Sequence, residues 1–225
     1  MSTRISVIIP TWNRWPRVAE AVDSVLAQTE PAHPVVVDDA STDDTPRRLR
    51  ERFGDRCEVI VQPQNREKSA ARNTGLQAAG TDYVAFLDSD DLLTPTAMAA
   101  LLAVFAADPA FDGVAYGACT VGDRLETAPA DLPRGRVLHA YVRNHFLHTP
   151  SCLYPRQRLV DLGGYREDLT NLEDVELFIR LMSRCEFRPC AEVVCRIRKQ
   201  PDAASADHAA ARAQGRRLLT RLQED

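Results

Sequence analysis

Three carboxylates fall within four positions in Asp88-Ser89-Asp90-Asp91, directly after the mostly apolar run Tyr83-Val84-Ala85-Phe86-Leu87. A strand buried on both faces does not carry such charges inside, so it ends where they begin, at the rim of the core. Carboxylates this close repel one another and are relieved by a cation. Hard divalent metals with oxygen ligands, Mg²⁺ or Mn²⁺, suit them. A solvated acidic turn ahead of a helix is the plainer alternative for these four residues alone. A second acid pair, Asp38-Asp39, follows a second apolar run, Pro34-Val35-Val36-Val37. Two strands that deliver carboxylates to one rim make the solvated turn a weaker account.

The elements that must position these acids follow from the pattern. Ile5 to Ile9 is a β-branched run ended by Pro10, and it reads as a central strand. Pro16 suits the first turn of a helix that carries Val18, Ala21, Val22, Val25 and Leu26 on one face. After the second strand, Ser41, Thr42 or Asp43 can cap a short helix holding Leu49 and Phe53. Glu58 to Gln62 reads as a third strand and Glu67 to Ala79 as a helix closed by Gly80. The acid-bearing strand comes fourth, and a helix follows over Pro95 to Ala107. Strands alternating with helices predict an α/β, doubly wound, mostly parallel sheet flanked by helices. The right-handed crossover rule lines up the strand C-termini, and ligands of such sheets bind along that edge.

The second half is less regular. Strands are expected at Val114 to Val121, Ser151 to Tyr154 and Val193 to Ile197. Helices are expected at Arg136 to His148, Pro155 to Leu162, Leu172 to Arg184 and Ala204 to Leu222. No linker divides the chain, so residues 1–225 read as one domain. Its first half spans about 1–110, a smaller second half about 111–200, and a terminal helix about 204–222.

Composition excludes some classes. The net charge of -4 gives no field to recruit nucleic acid, and no run of like charge forms an arm. No stretch is long enough for an integral membrane segment, and the first apolar run is too short for a signal peptide. The chain is expected to be cytoplasmic, with a peripheral position at a membrane left open. The six cysteines match no common zinc spacing, and small buried thiols account for them best.

Six stretches, in order, resemble the family 2 (GT-A fold) nucleotide-sugar glycosyltransferases. They are Ile5-Ser6-Val7-Ile8-Ile9-Pro10-Thr11-Trp12-Asn13-Arg14, Val35-Val36-Val37-Asp38-Asp39-Ala40-Ser41-Thr42-Asp43-Asp44-Thr45 and Ala71-Arg72-Asn73-Thr74-Gly75. They continue with Phe86-Leu87-Asp88-Ser89-Asp90-Asp91, the DxD motif, then Gly163-Gly164-Tyr165 and Glu173-Asp174-Val175-Glu176-Leu177. The resemblance implies a GT-A-like domain that moves a sugar from a nucleotide-diphosphate sugar, UDP- or dTDP-linked, to an acceptor hydroxyl with inversion. The implied acceptor is a carbohydrate, a lipid-linked glycan or a natural product.

It also implies roles. Asp39 would take the base N–H, with Pro10 and Thr11 lining the base pocket and Asn13 in the same loop. Asp88 would hold the ribose and Asp90 the divalent metal, with Asp91 supporting either. Arg72 would face the diphosphate or neutralise the acids. Asp174 would be the general base, beside Glu173 on the substrate. Without the resemblance, Asp174 reads as an N3 carboxylate of a helix capped by Asn171, and Glu176 with Arg180 as an i,i+4 surface pair. Relatives often have Gly where this chain has Glu67, and a His near the metal where it has Arg196-Ile197-Arg198-Lys199-Gln200. Arg198 or Lys199 could meet phosphate instead. His148, Trp12 and Trp15 could border the site, with burial or plain surface placement the simpler account. The rivals are a non-catalytic nucleotide-sugar-binding module and a sugar nucleotidyltransferase. The second lacks the Gly-rich phosphate loop it would want after the first strand.

Overall fold

Ile5–Thr11 (β1) is seven residues long and buried at every position, as a strand covered on both faces requires. The computed structural model describes residues 4–126 and 129–198, so the expected helix at 204–222 lies outside the described residues. Strand β1 pairs in parallel with β2 (Ala32–Asp38) on one side and β4 (Tyr83–Phe86) on the other. Beyond β2 lies β3 (Glu58–Val61), also parallel. Helices α1 (Arg17–Leu26), α2 (Thr45–Phe53) and α3 (Glu67–Ala78) make the crossovers.

The period of two along β1 sorts its side chains between two cores. Ile5, Val7 and Ile9 meet α1 and α2 in one, while Ile8 meets Leu76 of α3 in the other. Close packing of α3 on the sheet explains one motif glycine. A Cβ on Gly75 would lie 2.4 Å from the Ile8 side chain.

The second half completes the same sheet. Its elements are β5 (Leu92–Leu93), α4 (Ala97–Ala106), β6 (Val114–Val121), β7 (Arg124–Leu125), α5 (Leu138–Asn144), β8 (Cys152–Pro155), α6 (Arg156–Asp161), α7 (Glu173–Met182) and β9 (Phe187–Ile197). The strand order is β3-β2-β1-β4-β8-β6-β9-β5, with β7 paired to β6. Strand β8 runs antiparallel to both β4 and β6, and β9 runs parallel to β6. Helix α4 joins α1 and α2 on one face, and α5, α6 and α7 join α3 on the other. The doubly wound α/β class forms as expected.

Several details differ. Strand β9 begins at Phe187 rather than Val193, carrying Pro189 through a register shift opposite Tyr116 and Ala118. Helix α5 is shorter than expected because His145 takes a left-handed conformation (φ 45°) and ends it. Leu172 is left-handed as well (φ 61°), so α7 starts at Glu173 and Asn171 does not cap it. Glu176 and Arg180 form no surface pair: Glu176 is buried and both its oxygens are bound by Arg180, at 2.6 and 2.7 Å. Arg180 also donates to the Leu162 and Gly164 carbonyls, fastening α7 to the Gly163-Gly164 turn. Cys119 and Cys195, opposite one another on β6 and β9, are joined by a disulfide instead of standing as separate thiols. The remaining four are free, three of them buried.

Candidate active site

Strands β1, β2 and β4 end together on one rim, and a cavity of about 520 Å³ opens there. Its lining comes from Pro10, Thr11, Trp12 and Arg14 after β1, Asp39 after β2, and Asp88, Ser89 and Asp90 after β4. Asn65 and the first turns of α3, with Glu67, Lys68, Ala71 and Arg72, form the opposite wall. Half-exposed Trp12 borders the cavity, whereas Trp15 packs partly buried on the core beneath Arg48.

The two acids that end β2 have different tasks. Asp38 is wholly buried and accepts the Ser41 N–H (2.8 Å) and hydroxyl (2.6 Å), which closes the following turn. Asp39 faces the cavity and accepts the Arg66 N–H at 2.9 Å. Burial raises its pKa above the ordinary 3.8, against the Arg66 and Glu67 N–H bonds that favour its charge. Asn13 does not line the cavity. It is left-handed (φ 49°) and stitches the β1 loop to the β2 loop, its amide meeting the Thr42 hydroxyl and the Thr42 and Asp43 N–H groups.

The acids after β4 also diverge. Asp88 accepts from Arg72 at 2.6 Å, and Asp90 points into the cavity with Arg14 at 3.7 Å. Asp91 turns away to the Arg198 N–H at 2.9 Å. Burial, with the nearby Asp88 and Asp90 charges, pushes its pKa up to about 7. Arg198 is itself committed to the Asp90 carbonyl and Glu20, so it holds this loop rather than facing the cavity; Lys199 lies outside the described residues.

Arg72 joins the two halves of the molecule. Its guanidinium, 2% exposed, bonds Asp88 at one end and Glu173 at the other (2.9 Å), above the Tyr165 ring. Burial works against the Arg72 charge, and Asp88, Tyr165 and Glu173 outweigh it and hold the group charged. Asn73, next on α3, clasps the Tyr165 backbone through its amide N–H and carbonyl, both at 2.8 Å. The glycine pair beside it turns with left-handed backbone (φ 78° and 69°), and any Cβ on Gly164 would strike Asn73.

Glu173 opens α7 fully buried, and the half-buried Asp174 follows it just outside the cavity lining. Burial, then the Glu173 charge, raises the Asp174 pKa; Arg72 and Lys68 pull the other way. The structure therefore brings Pro10, Thr11, Asp39, Arg72, Asp88 and Asp90 onto one cavity. Glu173 is reached from it through Arg72, with Asp174 next in the chain.

Lys68 carries no motif and was not anticipated, although its position four before Arg72 puts both on one helix face. Its ammonium lies 2.8 Å from the Glu173 carboxylate. Glu67 has a backbone φ of 69°, the left-handed region in which glycine is at ease. His148 sits apart, against Glu126 at 3.2 Å.

A metal can be matched to this donor set. Among the described residues no group of three or more His, Cys, Asp or Glu could hold one unaided. Asp90 offers a hard oxygen ligand into the cavity, and Mg²⁺ is commonly held by one or two carboxylates together with substrate phosphates. The residues fit a metal that is shared with a phosphorylated ligand.

The family described as Glycosyl transferase family 2 matches residues 6–160. A succinoglycan biosynthesis protein, ExoU, of Rhizobium meliloti (strain 1021) is 31% identical over 167 residues, 73% of this chain and 43% of ExoU. A putative teichuronic acid biosynthesis glycosyltransferase, TuaG, of Bacillus subtilis (strain 168) is 41% identical over 90 residues, 39% of this chain and 36% of its own. The chain thus spans less than half the length of either relative. Among solved structures, S. aureus TarS 1-349 in complex with UDP-GlcNAc superposes with a TM-score of 0.76 at 20% identity, over 96% of this chain and 65% of that one. The mannosyltransferase PcManGT from Pyrobaculum calidifontis, in complex with GDP-Man and Mn²⁺, gives 0.70 at 26% identity, over 99% and 64%.

Proposed function

Since the chain belongs to glycosyl transferase family 2, we propose that it transfers a sugar from a nucleotide-diphosphate sugar to an acceptor hydroxyl in one inverting displacement. The observation that supports this best is the convergence of Asp39, Asp88 and Asp90 from two strand ends on one cavity, with Arg72 bridging from it to Glu173 beside Asp174. The cavity volume suits a ligand of nucleotide-sugar size.

Asp39 accepts the base N–H, a contact that fits uracil or thymine and hence a UDP- or dTDP-sugar, with the Pro10 and Thr11 backbone beneath the base. Trp12, exposed at the cavity edge, offers an apolar face to the nucleotide. Asp88 is held in place by Arg72 and meets the ribose hydroxyls. Asp90 would hold Mn²⁺ or Mg²⁺, which offsets charge on the departing diphosphate. Asp174, its proton affinity raised by burial, takes the acceptor hydroxyl proton as that oxygen bonds to the anomeric carbon. The bond from that carbon to the diphosphate breaks, and its electron pair leaves with the nucleoside diphosphate. Arg72 keeps Glu173, and with it the start of α7, in register with the donor wall.

Calorimetry with UDP, with and without Mn²⁺, tests the donor site. Binding strengthened by Mn²⁺, and losing that gain in Asp90→Ala, is the expected result. Binding that is absent with UDP, dTDP and GDP alike, or indifferent to Asp90→Ala, removes the metal and nucleotide assignment.

A further inference from the structure

Among the described residues three cations line the cavity, and the fold holds them in different ways. Arg72 is buried between two carboxylates, and withdrawing it would leave Glu173 without its buried partner, a costly rearrangement. Arg14 stands 3.7 Å from Asp90. Lys68 is placed to move. Its side chain is 46% exposed, and its ammonium lies 2.8 Å from the Glu173 oxygen that Arg72 also holds. If Lys68 leaves, Glu173 keeps Arg72.

The same cavity carries four carboxylates, Asp39, Glu67, Asp88 and Asp90. A diphosphate entering among them needs positive charge within reach. An ammonium on a flexible four-carbon stem can re-aim its donors, where a planar, doubly bound guanidinium cannot. Lys68 is also the second residue of a twelve-residue helix whose first turn lines the cavity, so the positive end of that helix faces the same ligand.

Resting on the reading of this cavity as the donor site, we infer that Lys68 is a diphosphate ligand that exchanges from Glu173 to a phosphate oxygen when the donor binds. The exchange removes a cation from the first residue of α7, whose second residue is Asp174. Donor occupancy is thereby reported to the group that receives the acceptor's proton, across a junction made of side chains from α3 and α7. No motif marks Lys68; its place in the cavity and its shared carboxylate oxygen identify it.

Calorimetry with UDP, UMP, GDP and GMP on the full chain separates the possibilities. Lys68→Met is expected to weaken diphosphate binding about 10- to 100-fold, the loss of one charge-assisted contact. The monophosphates should change far less, and Lys68→Arg should restore most of the affinity. Equal diphosphate affinity in wild type and Lys68→Met overturns the assignment. Glu173→Gln tests the exchange, because removing the competitor should tighten diphosphate binding several-fold and do so only while Lys68 is present. An effect of Glu173→Gln that persists in the Lys68→Met background overturns the exchange. Should wild type bind none of the four nucleotides, the donor-site reading falls and this inference with it. Should wild type bind and Lys68→Met bind equally, only the inference falls.

Discussion

Helix α7 carries two buried glutamates three residues apart, each paired with an arginine, Arg180 on α7 itself and Arg72 on α3, and the pairs are built to opposite ends. In the pair Glu176–Arg180 every oxygen of the carboxylate is taken, and two further guanidinium N–H groups go to two carbonyls of the adjoining turn. In the pair Glu173–Arg72 one carboxylate oxygen is shared between two cations. The other oxygen and the Arg72 Nε are buried with no hydrogen-bond partner among the described residues. A saturated pair is a fastener: a change in it costs stability and little else. An unsaturated pair beside a cavity retains capacity to re-pair when charge arrives, and its energetic cost is carried by the rest of the core. Two glutamates one turn apart on α7 are thus held in a saturated pair and an unsaturated one.

Four experiments bear on that contrast. The largest expected effect is at the chemical end. Asp174→Asn should keep nucleotide affinity and lower transfer by about 10²- to 10⁴-fold, the range for removing a general base. Turnover near the wild-type rate would take Asp174 out of the reaction. Next comes the fastener. Arg180→Met leaves Glu176 buried and unpaired, at a cost of about 3 kcal/mol in urea unfolding, with nucleotide affinity of the folded protein unchanged. A loss of affinity without a loss of stability would reverse the two assignments.

The pH dependence of transfer supplies the third test. Burial raises the Asp174 pKa above 3.8, so its base form is lost at a higher pH than an exposed aspartate would show. Transfer should therefore fall on acidification through that raised pKa, with the acid limb displaced upward from the usual carboxylate range. A limb at the ordinary carboxylate value would contradict the burial argument. The smallest effect is expected at Glu67, whose left-handed backbone costs a non-glycine residue about 1 kcal/mol. Glu67→Gly should raise the unfolding free energy by about that amount or less, since glycine adds unfolded-state entropy.

The first half was legible because parallel strands buried on both faces appear as unbroken apolar runs, and their ends are marked by charge. Asp39, Asp88 and Asp90 could be placed on one rim from that alone. Burial of Glu176 could not, since an i,i+4 spacing states which residues share a helix face and nothing of what covers it. Lys68 was missed for a related reason: it reaches across to Glu173, more than a hundred residues away in the chain. The pairing of Cys119 with Cys195 depends on the parallel register of β6 and β9, separated by 76 residues, which no local pattern states. Pro189 concealed the first half of β9 because a proline usually argues against a strand, and only the register shift beside it makes room. The glycine that relatives often have where this chain has Glu67 suits the left-handed φ of 69° there, a backbone state that no residue pattern states.

Chain order and strand order part company at β4, and during synthesis that becomes a delay. Its neighbour β1 is made beforehand, whereas β8 follows roughly seventy residues later. At about 5–20 residues per second, one edge of β4 waits several seconds on the ribosome with its hydrogen-bonding groups unpaired. Open edges invite pairing with other chains, and nature blunts them by keeping them short and charged. Strand β4 is four residues long and ends in an acid cluster. The carboxylates at the cavity of the finished protein are thus also the kind of charge that discourages edge pairing in a nascent chain.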